Sequence, residues 1–148
     1  MTEVGFYHLT RTGPDQALPA LLGRTLAANE RAVVRAGDEA RVAVLDAALW
    51  ASQDPDWLPH GTARTGHAAL QPIWLTSTGE NPNGARFLFV LDGQDSSDLL
   101  AWARVFDLFD GRDDAAVAAA RTRWSAAKAL GATLTYWQQT ERGWTKKA

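Results

Sequence analysis

At 148 residues, with 46% hydrophobic and 22% charged side chains, the chain is sized for one globular domain spanning residues 1–148, and disorder is excluded. No apolar run approaches the ~20 residues a membrane span needs, and the start Met1-Thr2-Glu3-Val4 lacks the basic and apolar stretches of a signal peptide, so a bacterial cytoplasmic location is expected. A net charge of −2 argues against general nucleic-acid binding, and the absence of cysteine removes disulfides, thiolate metal sites and a cysteine nucleophile.

Residues 4–9 read as a first strand, stopped by Thr12-Gly13-Pro14. Asp15 is expected to cap a helix to about Glu30, with Leu18, Leu21, Leu22 and Leu26 at helical spacing. Residues 31–35 form a second strand. Gly37-Asp38 then opens a helix to about Trp50, buried along Val42, Leu45 and Leu49. Residues 54–61 are a loop punctuated by Pro and Gly. Further strands are expected at 72–76 and 87–91, joined through the Pro82-Asn83-Gly84 turn. Asp95 and Asp98 bracket the start of a short helix, and residues 104–110 form a fifth strand. Asp113-Asp114 starts an alanine-rich helix ending at Gly131, and 133–137 is expected as a final edge strand. Strands alternating with helices, several of them continuous apolar runs, indicate an α/β layer fold with a mostly parallel central sheet.

Catalysis is not indicated. The first strand–helix junction, Thr10-Arg11-Thr12-Gly13-Pro14-Asp15, has neither a dinucleotide fingerprint nor a Walker lysine, and Asp15 would repel phosphate there. No cofactor is expected. His8 sits within a strand, and His60 and His67 have no ligand spacing, so no metal site is expected.

Charge is distributed unevenly. Residues 111–148 hold seven Lys/Arg against three Asp/Glu, net +4, while the other 110 residues hold eight against fourteen, net −6. A basic, tryptophan-bearing end on an acidic body fits docking of an acidic partner. At 100° per residue, Val117, Arg121, Trp124 and Lys128 fall within about 60° of one another on the last helix. Ala116, Ala119, Ala127 and Leu130 are expected on the far side, against the sheet. Two cations flanking an indole suit a short peptide ending in acidic and aromatic residues; alternatively Trp124 is core and the cations its solvated rim. A second surface is Trp50, off its helix's apolar stripe, with Trp57 and Leu58 in the loop; there the two indoles face a partner or pack on each other. Trp137 and Trp144 are left as a strand residue and as part of a frayed tail or of the basic surface.

Taken together, Phe6-Tyr7-His8-Leu9, Leu49-Trp50, Trp57-Leu58-Pro59-His60-Gly61, Gln71-Pro72-Ile73, residues 104–110 and the Arg121-x-Arg123-Trp124-x-x-x-Lys128-x-x-Gly131 helix resemble the chi subunit family of bacterial DNA polymerase III holoenzyme. The resemblance implies a Rossmann-like three-layer fold and a non-catalytic clamp-loader accessory. It also implies a site for the acidic, Phe-ending tail of single-stranded-DNA-binding protein at Val117, Arg121, Trp124, Ser125 and Lys128. Ser125 stands where the family carries Lys, and Lys128 is one turn along. Contacts to the psi subunit, or to an accessory helicase, map onto Trp50, Trp57 and Leu58. Nucleic acid is then met only indirectly. The competing readings are a small nucleotide- or phosphoryl-ligand enzyme, and direct single-stranded DNA binding through Trp124, Trp137 and Trp144.

Overall fold

A computed structural model describes residues 1–53 and 57–148; the expected loop segment at Asp54, Pro55 and Asp56 lies outside the described residues. The chain runs β1 (Glu3–Leu9), α1 (Pro14–Ala27), β2 (Ala32–Arg35), α2 (Glu39–Ala51), β3 (Ile73–Thr76), β4 (Phe87–Val90), β5 (Arg104–Asp110), α3 (Asp114–Ala129), β6 (Thr133–Thr140) and β7 (Gly143–Lys146). The strands form one sheet ordered β3-β2-β4-β5-β1-β6-β7, parallel except for antiparallel β7. This is the three-layer α/β fold the sequence leads one to expect.

Alternation along the strands explains the layers. Tyr7, Leu9, Val34, Phe89, Phe106 and Leu108 face α1 and α2, meeting Leu18, Leu21, Leu22, Val42, Leu45 and Leu49. Val4, Phe6, Val33, Leu88, Val105 and Phe109 face the other way, onto Ala120 and Ala127 of α3 and onto Leu99 and Trp102. Strands covered on both faces need apolar residues at every position, which is why they read as unbroken runs. Each fully buried Leu, Val or Phe side chain contributes roughly 1.5–3 kcal/mol.

The helix ends follow from local chemistry, with one correction. Asp38 caps α2 by accepting from the Arg41 N–H at 2.7 Å, and Asp113 caps α3 by accepting from Ala115 and Ala116. Asp15, however, is not the cap of α1. Pro14 takes the first helical position, for which its fixed φ is suited, and Gly13 precedes it, with its N–H donating to the Gln16 side chain. The helix stops at Ala27 because Asn29 turns left-handed at φ 60°. Gly131, at φ 87°, ends α3: its N–H donates to the Lys128 carbonyl, and the Ala132 N–H to that of Ala127.

Three further expectations are corrected. β6 is internal, paired with β1 and β7, and the sheet edge is β7, so residues 143–146 are a strand and not a frayed tail. The second correction concerns the buried line of α3, which runs through Ala120 and Ala127 with Val117 and Trp124 beside them, whereas Ala119 and Leu130 are exposed. The sheet surface here carries Phe6 and Tyr136, which accept a large ring and turn the helix toward them. Finally, residues 99–101 form only a 3-10 turn. Asp98 is drawn off to accept two hydrogen bonds, each 3.0 Å, from the buried Arg35 guanidinium.

That pairing makes the fold acid-sensitive. The hydrogen bonds from Arg35 hold the Asp98 carboxyl below its ordinary value, against burial and with help from the Trp102 indole N–H. A depressed folded-state pKa stabilises above the unfolded value and loses that stabilisation as pH falls. The urea midpoint of the native protein is therefore expected to drop as pH falls below about 5 and on through the acid range, and Asp98→Asn, weaker at neutral pH, should lose less over that range. Parallel curves for the two proteins would contradict this.

Candidate docking site

Val117, Arg121, Trp124 and Ser125 line one groove, about 330 Å³ in volume, together with Ala120 and Tyr136 of β6. Helical spacing places the first four on one flank of α3. The Trp124 indole is half-buried, edge-on to Phe6 at 5.3 Å and to Tyr136 at 5.9 Å. Trp124 is thus both a core-border residue and a wall of the groove. Tyr136 is fixed by a 2.6 Å hydrogen bond between its hydroxyl and His8 Nδ1, which gives the strand histidine its role. Burial raises the Tyr136 phenol above its ordinary value, and the charge of Arg121 pulls the other way.

Not every cation of the basic end is free to bind. Arg123 donates to both carboxylate oxygens of buried Asp107 at 2.7 and 2.9 Å, and Arg112 pairs with Asp110. Arg121 and Lys128 remain exposed on α3, with no carboxylate at ion-pair distance among the described residues. Lys128 lies beyond the groove lining, one turn past Trp124. Tyr136 is the residue that sequence reasoning left without a role. The signal was the strand alternation that points Tyr136 and Trp137 to opposite faces.

The second predicted surface divides into exposed and buried parts. Trp50 is 63% exposed and Trp57 71% exposed, while Leu58 is 2% exposed and belongs to the core. Leu58 therefore anchors the loop and presents no surface. The Trp50 ring lies 4.8 Å from that of His60, not on Trp57. His60 is buried between the Leu58 carbonyl (2.6 Å) and the Asp46 carboxylate (2.8 Å), which ties the loop at Leu58 to α2 beneath the Trp50 ring.

The competing readings find weaker geometry. β1 and β5 are neighbours that lead into helices on opposite faces, so their C-terminal ends form the crevice where such folds hold ligands. Here Arg41 bridges Asp15 and Asp92 across that crevice, and Asp113 occupies the N-terminus of α3. Carboxylates at both helix starts oppose phosphate. Nor do Trp124, Trp137 and Trp144 make one stacking platform, because the first packs on the α3 face and the others on the α1 face. Among the described residues no three His, Asp or Glu side chains converge as metal ligands.

The chain matches the DNA polymerase III chi subunit family (HolC) over residues 1–135. It belongs to that family. It is also 26% identical over 100 residues to a probable DNA polymerase III subunit chi of Rickettsia prowazekii (strain Madrid E). That stretch is 68% of this chain, and the chain spans 61% of the relative. The chi family is an accessory subunit of DNA polymerase III. The family match contains α3 and the groove residues up to Ser125, and ends within β6 before Tyr136. No described helix is long and apolar enough to cross a membrane.

Proposed function

We propose that this chi-family chain is a non-catalytic adaptor of the polymerase III clamp loader. Its groove at Val117, Arg121, Trp124 and Ser125 receives the acidic, Phe-ending C-terminal tail of single-stranded-DNA-binding protein. Its Trp50–Trp57 corner docks psi or an equivalent clamp-loader or helicase partner, so DNA is engaged only through protein. The observation that carries the reading is the α3–β6 groove, where an apolar slot walled by Trp124 and Tyr136 opens beside the exposed Arg121. A terminal phenylalanine ring is accommodated in the groove that those two contacting rings line. Its carboxylate meets the guanidinium, and preceding acidic residues follow α3 toward Lys128. Exposed indoles are typical interface anchors, which supports the second half of the reading.

The test is titration of a fluorescently labelled acidic peptide ending in Asp-Phe. Affinity is expected on the order of micromolar at low salt, weakening as salt rises. Amidation of the terminal carboxylate and Arg121→Ala should each lower it by about tenfold or more. Ser125→Lys adds a cation beside the slot and should tighten binding roughly threefold, with a steeper salt dependence. Undetectable binding at low salt, or binding indifferent to Arg121→Ala, would refute the tail site.

A further inference from the structure

A second cavity, about 300 Å³, lies on the opposite face of the sheet from the α3 groove. It arises because α1 and α2 cover β5 and the β2–β3 side, leaving β6 and β7 without a helix on that face. Aromatic rings take the helix's place. Tyr7 stacks on Phe106 at 5.7 Å and on Trp137 at 6.3 Å, and Trp144 meets Tyr7 edge-on at 5.0 Å. Phe87 completes the walls. The close layering depends on Gly5, where a Cβ would stand 2.8 Å from the Tyr7 ring.

Two features make this more than a gap in packing. Arg24 of α1 and Arg104 of β5 line the cavity, and neither has a carboxylate at ion-pair distance among the described residues. Arg104 lies over the Phe106 ring at 4.7 Å and the Phe87 ring at 5.5 Å, which holds its charge at the edge of the aromatic walls. Second, Tyr7 is largely buried, yet its hydroxyl pairs with no group among the described residues and keeps access to the cavity space. Burial raises the Tyr7 phenol, while Arg104 and Arg24 lower it and Glu3 adds to the rise; those three are the charges that bear on it. The local balance is positive. Trp137 and Trp144 lie beyond the residues matched by the chi family model.

We propose that the cavity bounded by Tyr7, Phe106, Trp137 and Trp144 binds a small planar aromatic carboxylate. The ring stacks among the four aromatic side chains, the carboxylate pairs with Arg24 and Arg104, and the Tyr7 hydroxyl donates the third hydrogen bond. The volume sits at the lower end of small-ligand sites, which favours a single ring over a folded peptide.

Phenylacetate is the probe, followed through the indole N–H signals of isotope-labelled protein. Saturable shifts of the Trp137 and Trp144 signals are expected, with a dissociation constant on the order of 1 mM. Phenylacetamide, which lacks the charge, and cyclohexylacetate, which lacks the π-face, should each bind about tenfold more weakly. Arg24→Gln with Arg104→Gln should abolish the shifts, whereas Arg24→Lys with Arg104→Lys retains part of them. Tyr7→Phe should weaken binding about threefold. Arg121→Ala should change nothing, so the outcome is independent of the tail site. No saturable shift up to about 20 mM, roughly twentyfold over half-saturation, would overturn the proposal. So would equal binding of acid and amide, or shifts at these two indoles with an acidic peptide but not with phenylacetate.

Discussion

Arg123→Ala is expected to destabilise the protein by about 3–5 kcal/mol, the usual cost of removing one partner from a buried ion pair. Asp107 is 2% exposed and accepts both of its hydrogen bonds from Arg123, so the variant strands a carboxylate between β5 and α3. Urea unfolding at neutral pH measures the loss. The pH dependence identifies its cause. Burial raises the Asp107 carboxyl above its ordinary value even though the hydrogen bonds and charge of Arg123 lower it. A raised folded-state pKa favours folding below the unfolded value, and that advantage is lost as pH rises through the folded one. Without Arg123 the rise is larger. The deficit of the variant should therefore be smallest in acid, grow toward neutrality, and shrink at neutral pH when Asp107→Asn is added. A deficit that is flat with pH, or unrelieved by Asp107→Asn, would contradict this account.

Trp124→Ala is expected to remove tail-peptide binding and about 2–3 kcal/mol of stability together. The ring is half-buried, so the cost falls below that of a fully buried tryptophan, yet it forfeits edge contacts with both Phe6 and Tyr136. Trp124→Phe should recover most of the stability and part of the affinity, since a smaller ring still meets both neighbours. Arg121→Ala separates the two effects, because its side chain is exposed: the peptide affinity falls while the urea midpoint holds. Should Trp124→Ala bind peptide as well as the native protein, the indole does not wall the site.

Arg121 and Arg123 show what a sequence reveals and what it withholds. Both belong to one Arg-x-Arg motif in a basic segment, and nothing in spacing alone separates them. One is exposed beside the groove; the other is consumed by Asp107, in the middle of β5 and invisible as a partner until β5 and α3 are packed. The order of strands and helices was legible because apolar runs and caps such as Asp38 and Asp113 are local signals. The buried side of α3 was not, because its buried positions, Ala120 and Ala127, are the same residue type as the exposed alanines around them, and Phe6 and Tyr136 on the sheet decide which way it turns. The aromatic cavity was hidden for a similar reason. Tyr7, Phe106, Trp137 and Trp144 come from four strands, and only their register brings the rings together. Leu58 looked like part of an interface pair with Trp57, yet side chains one position apart in an extended loop point to different sides, and the smaller one went inward.

The position of β1 has a consequence for how the chain acquires its structure. Glu3 is in register with Arg104 on one side and with Thr133 on the other, so the first strand made is bordered by two of the last. Loop closure over most of the chain must precede both pairings, and such long-range parallel contacts slow folding toward the millisecond-to-second range. On a ribosome adding roughly 5–20 residues per second, β1 waits several seconds with both of its edges open. During that interval Val4, Phe6 and Leu9 are an unpaired apolar segment, the kind of strand that chaperones shield and that aggregates when they do not. Synthesis of β5 and β6 is therefore the event that commits this chain to its fold.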